Sequence, residues 1–319
     1  MDCGGLEMRL LSRVAERLYW MARYLERAED TARLLRSHTH LIMDIPSGSE
    51  PSWEVLLQTL DAEEGFSRNH RVANETNVLR FLMADLENLS SIARSIQAAR
   101  ENVRTTRDVL PAEVWEHVNE LYHYSREHSA SSVGRRNRHR FLEQVIGRCQ
   151  MINGLIMTTL CRDHTNRFVR IGHLLERADM TTRVLDVGIG TLMNEERNPS
   201  TTDPLVWASV LSSLSALETY RRTVGPLVEG AEAVDFIFRD GTLPRSLKFC
   251  LNGIREELAP MQNNTAAMKV IDRARRSLSR FDPHKAGRLD MHRFIDKFQA
   301  NLLALGTEIN VAWFLTEQA

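Results

Sequence analysis

The sequence predicts an all-α protein, a bundle of long helices built from two related halves. Three observations predict it. The segment Arg17–Arg36 carries apolar residues at helical spacing, and it returns 150 positions later as Arg167–Asp186. Proline and glycine are scarce, 9 and 16 in 319 residues, which suits long helices. No stretch alternates apolar and polar residues as a half-buried strand would.

Without gaps the repeat matches Arg17/Arg167, Leu25/Leu175, Glu26/Glu176, Arg27/Arg177, Ala28/Ala178, Thr31/Thr181, Arg33/Arg183 and Leu35/Leu185, and Glu29/Asp179 keeps an acid. On a helical wheel Leu18, Met21, Ala22, Leu25, Ala28, Ala32 and Leu35 form one apolar stripe, the mark of a helix packed against others. Glu26, Glu29 and Arg33 fall within roughly 60° on one edge of it. Arg27 points the opposite way. Glu176, Asp179 and Arg183 repeat the triplet in the second helix. Gly172 replaces Ala22, so a small residue keeps close helix approach open there.

Two readings of the triplets stand side by side. In the structural one, acids and arginines at these spacings make ion pairs within or between helices. In the functional one, a pseudo-twofold axis brings two acid–acid–Arg triplets together, and they fix a binding groove or hold a metal. A di-iron bundle wants Glu-x-x-His on each of two helices. The chain has Glu120–His123, on neither repeat helix, so no metal site and no cofactor are expected.

The remaining elements follow in order. Met1 to Glu7 form a loose tail, with Met8 a candidate start, so residues 1–9 stand apart from one helical domain over 10–319. Its half-repeats span about 10–160 and 161–319. The first helix runs from about Leu10 to Met43, with Ser12 near its cap, and ends in the breaker Ile45–Ser52; Trp53 opens a short helix. After the second motif, the breaker Arg197–Pro204 and a Trp207 helix repeat that layout. Phe81 and Asp85 match Phe236 and Asp240, and a long helix follows each pair, from near Asn88 and near Pro244. The first of these ends in Arg100 and Arg104, which share a face that is either solvated or a basic binding spot. Pro111 starts a further helix bearing His117, His123 and His128, which do not share a metal-binding face. Ser129–Asn137 is expected as a mobile polar loop before a helix from about His139. Phe281–Asp290 has a Ca²⁺-loop glycine but lacks most of the oxygen ligands, so it joins helices. The last helix, from Met291 to about Phe314, shows a core stripe through Phe294, Phe298, Leu302, Leu305 and Ile309.

Composition excludes several classes. A net charge of −1 gives no bulk attraction to nucleic acid or anionic membrane. Cys3, Cys149, Cys161 and Cys250 form no ligand motif and suit reduced thiols in a cytoplasmic protein. No apolar run is long enough to span a bilayer, and no secretory signal opens the chain. Gly-rich phosphate loops and a nucleophile elbow are absent.

Three stretches carry a resemblance: LSRVAERLYWMARYLERAEDTARLL near the start, ARENVR in the middle, and LLERADMTTRVLDV in the second half. They resemble the bacterial alpha-E domain, from about Leu10 to Phe314. The Glu-Arg motif that names the family falls on Glu26-Arg27 and Glu176-Arg177. Leu89 stands where the pattern suggests a proline. The resemblance implies an all-helical component without a settled activity. It implies as partners a circularly permuted ATP-grasp protein and a transglutaminase-like peptidase, in a system that makes or modifies peptide or amide bonds. The expected role is therefore a helical accessory protein that binds the ATP-grasp partner or its peptide substrate. Its binding residues would be drawn from the two triplets, Arg27, Arg177, Arg100 and Arg104. The alternative is a catalytic component that uses the Glu or Asp residues of the paired helices as general base, with a divalent metal as an option.

Overall fold

The computed structural model describes residues 12–46, 51–192 and 203–315. All regular structure among them is helical. The first half comprises α1 (Ser12–Asp44), α2 (Glu54–Thr59), α3 (Glu63–Asn69), α4 (Glu75–Met83), α5 (Ile92–Arg104), α6 (Ala112–His128) and α7 (Arg135–Thr159). The second comprises α8 (His164–Leu192), α9 (Asp203–Ser213), α10 (Leu217–Thr223), α11 (Gly230–Arg239), α12 (Leu247–Leu258), α13 (Thr265–Arg280) and α14 (Arg288–Ile309). A π-helical turn, Asn310–Phe314, ends the described chain.

The repeat helices α1 and α8 form the centre. Their apolar stripes drive this, since Leu18, Met21, Leu25, Ala28, Ala32 and Leu35 are wholly buried, as are Ile171, Ala178 and Leu185 opposite. Side-chain bonds between the two helices join residues 153, 151 and 149 positions apart. The Tyr19–Gly172 contact, nearer both N-termini, is also 153 apart, so the separation stays nearly constant and the helices run in the same direction. Gly172 sets their distance: a Cβ there would lie 2.3 Å from the Tyr19 carbonyl oxygen.

The surrounding helices come in matched sets. Helices α5 and α7 flank α1, with α6 packed on both; α12 and α14 flank α8, with α13 packed on both. Local contacts recur in both halves as well. Ser91 and Ser246 cap α5 and α12, each hydroxyl accepting from the amide three residues on. The same hydroxyls donate to the carbonyls of Asp85 and Asp240. Asp61 and Ser215 both adopt positive φ, 51° and 53°. Arg100 Nε donates to Asn119 Oδ1 at 2.8 Å, and Arg255 Nε to Asp272 Oδ1 at 2.8 Å. A contiguous apolar core runs from Ala15 to Phe314 and draws on both sets.

Several boundaries differ from the sequence expectation. The capping serines, not Asn88 or Pro244, start α5 and α12. Helix α7 begins at Arg135, so Ser129–Asn137 is only in part a loop. Ser129, Ser132, Val133 and Arg138 are buried there. Arg138 is held by the Val133 carbonyl at 2.9 Å and by Glu75 at 2.7 Å, which packs the segment down. The tail 1–9, the start of the first helix before Ser12, Cys3 and much of both breakers lie outside the described residues.

Candidate functional site

Where α1 and α8 touch, the two Glu-Arg dipeptides exchange partners. Arg27 Nε donates to Glu176 Oε1 at 2.5 Å, and Arg177 Nε to Glu26 Oε1 at 2.6 Å. One turn earlier on each helix a second basic group joins. Arg23 Nε lies 2.6 Å from Glu176, and His173 Nε2 3.0 Å from Glu26. Both glutamates are almost fully buried. A buried carboxylate survives only when paired and hydrogen-bonded, and this exchange supplies both conditions for each.

The electrostatics follow from that arrangement. Burial alone would raise the Glu176 carboxyl, but Arg23 and Arg27 outweigh it and hold it down to about 2. Burial works equally against Glu26, and Arg177, His173 and Arg245 hold that carboxyl well below the usual range. Burial pushes His173 down to about 3 against the pull of Glu26, so its ring is neutral at pH 7.

The wheel turns Arg27 away from the stripe, yet it crosses to α8. Its stem is long enough to wrap the helix edge, and the guanidinium lies 5.6 Å from the Tyr24 ring. The other two members of each triplet pair on their own helix instead. Arg33 bonds Glu29 through Nε and Nη2 at 2.9 and 2.7 Å and donates to Ser215 Oγ at 2.6 Å. Arg183 bonds Asp179 at 2.9 Å and approaches Asp61 at 3.9 Å. Asp61 and Ser215, both at positive φ, thus occupy matching places against the two arginines. Arg100 and Arg104 lie outside this cluster. Arg100 straps α5 to α6 and sits 4.6 Å from the Tyr122 ring centroid, and Arg104 pairs with Glu101 at 2.9 Å.

Sequence reasoning missed Arg245. It reaches in from the turn before α12, 3.1 Å from Glu26, 3.2 Å from Glu29 and hydrogen-bonded to Asp30. No periodic pattern flags a turn residue. A signal did exist in Asp30, a buried acid beside the motif whose counterpart is Met180. Burial pushes Asp30 up to about 8, opposed by Arg245 and aided by repulsion from Glu26 and Glu29. Arg245 corresponds in position to Ser90: Thr181 donates to the Arg245 carbonyl as Thr31 does to that of Ser90. The cluster is therefore asymmetric, with three basic partners on Glu26 and two on Glu176.

Two clefts flank the exchange. The larger, about 550 Å³, opens between α1, α8 and α14, where Trp20, Arg23, Arg27, Asp179 and Arg183 face Leu303. The smaller, about 270 Å³, lies beside Arg170, His173 and Arg177, where Pro244 and Phe249 take up space. Among the described residues no group of three or more His, Cys, Asp or Glu is placed to hold a metal ion. No described helix is long and apolar enough to cross a membrane.

An all-helical protein whose centre is an exchange between two Glu-Arg dipeptides belongs to a definable class. The chain is a member of the Alpha-E family, described as a predicted alpha-helical domain with a conserved ER motif, which matches residues 10–314. It is similar to an uncharacterised protein of Mycobacterium bovis, 23% identical over 300 residues, covering 86% of this chain and 33% of that protein. An uncharacterised protein of Mycobacterium tuberculosis matches to the same extent. The chain thus spans about a third of the length of these relatives. No solved structure matches.

Proposed function

We propose that the chain is a non-catalytic binding component of a peptide- or amide-bond-forming system. In this reading the larger cleft takes a peptide segment presented by the ATP-grasp partner. The observation that carries it is the cleft itself: Arg23, Arg27 and Arg183 line it with Asp179 and Asp296, over an aromatic wall of Tyr19 and Trp20. Alternating cations and acids suit a chain that carries both carboxylates and amines. The glutamates beneath serve as backing. Glu176 fixes Arg23 and Arg27 so that their outer faces stay aimed at the cleft. The link to an ATP-grasp partner rests on the family resemblance.

The catalytic alternative fits less well. A general base works best with a pKa near the working pH, and Glu26 and Glu176 are held far below it and out of reach of solvent.

The test is co-purification with the circularly permuted ATP-grasp protein that the family resemblance implies as partner. Arg183→Glu and Leu303→Lys change groups on the open side of the cleft, 30% and 75% exposed. Each should abolish association while the helical circular dichroism stays unchanged, and Arg104→Ala should leave association intact. Association that survives both cleft variants, or no association of the unaltered chain, overturns the reading.

A further inference from the structure

A third cleft, of about 630 Å³, lies between α11, α12 and α13, on elements apart from the Glu-Arg exchange. Its floor is apolar, from Phe238, Leu251 and Leu278, and its rim is cationic. Arg239, Lys248, Arg275 and Arg276 line it, and Arg255 stands beside it, 2.8 Å from Asp272. Three acids face these five cations. Asp272 is shared by Arg255 and Arg275, Asp235 is 3.1 Å from Arg239, and Asp240 lies in the field of Lys248. Five cations against three acids leave two positive charges uncompensated. They fall on Arg276, whose guanidinium has no partner among the described residues, and on Arg255 and Arg275, which share one carboxylate.

The fold does not require these cations. The matched straps fix the correspondence between halves, with Arg100 against Arg255 and Asn119 against Asp272. At the same offsets Ala93 stands for Lys248, Ala84 for Arg239, Tyr122 for Arg275 and His123 for Arg276. In the first half Arg100 lies over the Tyr122 ring, so an aromatic side chain occupies the region that is cationic in the second. The same scaffold packs with four of the five cations replaced, so those four answer to something other than packing.

We propose that this cleft binds a phosphate-bearing small molecule. A phosphate group carries about two negative charges at neutral pH, against one for a carboxylate, and that matches the two uncompensated cations. Arginine forks meet phosphate oxygens in pairs, and a lysine adds a point charge. The Asn252 amide, already accepting from Arg275 Nε at 2.9 Å, keeps N–H donors for the same ligand. The apolar floor would take the organic part. This site is independent of the peptide cleft proposed above.

The experiment is calorimetric titration of the full chain with inorganic pyrophosphate, and with citrate as a carboxylate control of similar charge. Lys248→Glu and Arg276→Glu are exposed positions, so neither threatens the fold. Each should weaken pyrophosphate binding by about tenfold or more, the loss of one charge-assisted contact and its reversal. Arg183→Glu, in the other cleft, should leave it unchanged. Pyrophosphate binding by both Lys248→Glu and Arg276→Glu as tight as that of the unaltered chain, or none by the unaltered chain, overturns the proposal. Citrate binding as tightly as pyrophosphate overturns the phosphate assignment.

Discussion

Gly172→Ala puts the central contact to the test. The new Cβ would lie 2.3 Å from the Tyr19 carbonyl oxygen, with the Tyr19 carbonyl carbon and Cα at 3.1 and 3.2 Å. These are backbone atoms, which no rotamer can move aside. Helices α1 and α8 must part by about 1 Å to restore van der Waals distance. That stretches the Arg27–Glu176 and Arg177–Glu26 bonds, now 2.5 and 2.6 Å, beyond hydrogen-bond length. Overpacking of this kind costs about 1–3 kcal/mol. Loosening two charge-assisted bonds adds about 1–2 kcal/mol. Against this, alanine is better than glycine within a helix by about 1 kcal/mol. The net loss is about 3 kcal/mol. With an unfolding entropy of about 2.1 cal/mol/K per residue over 319 residues, Tm should fall by about 4 °C. Gly154→Ala is the control. A Cβ there meets nothing within 4 Å, so only the helix-propensity gain remains and Tm should rise by about 1–2 °C. Thermal unfolding followed at 222 nm reads both, and equal shifts in the two variants would refute the close-contact argument.

Two further outcomes follow from the buried charges. Arg245→Met removes the cation shared by Glu26, Glu29 and Asp30, and should cost about 3–5 kcal/mol at neutral pH, as breaking a buried pair does. Urea unfolding at neutral pH reads the deficit, and a midpoint equal to that of the unaltered chain would rule it out. Glu176 sets an acid limit of its own. Because its folded pKa is depressed to about 2, its contribution is complete above the unfolded value and disappears as pH falls from about 4.5 toward 2. Glu176→Gln should be less stable at pH 6 and lose less of its remaining stability across that window; parallel pH profiles for the two proteins would rule this out.

How much of this was legible in the sequence depended on periodicity. The stripe from Leu18 to Leu35 is buried as the wheel requires, and Gly172 sits at the tight contact that its small size suggested. The Glu-Arg dipeptides were visible as a repeat, but not the way they pair. A wheel records where Cβ points, and the Arg27 guanidinium ends far from its Cβ, on the other helix. Arg245 was illegible because it lies in a turn, where no period marks which side chains turn inward. The capping serines were missed in favour of Pro244, although Ser246 was there to see; a proline announces a nearby helix, whereas a hydroxyl that satisfies an amide defines its first turn.

The exchange between α1 and α8 also has a direction in time. A ribosome makes Glu26 early, and its partner Arg177 emerges 151 residues later, with Arg245 later still. Until then that acid edges an apolar stripe that cannot be buried without stranding charge. Glu176, by contrast, emerges after its partners Arg23 and Arg27. Assembly of the centre must therefore await α8 and the turn before α12, and closing so long a loop is slow for a helical protein. A nascent chain halted before Arg245 lacks the one side chain that touches Glu26, Glu29 and Asp30 together, which makes that late arginine the natural checkpoint for completing the bundle.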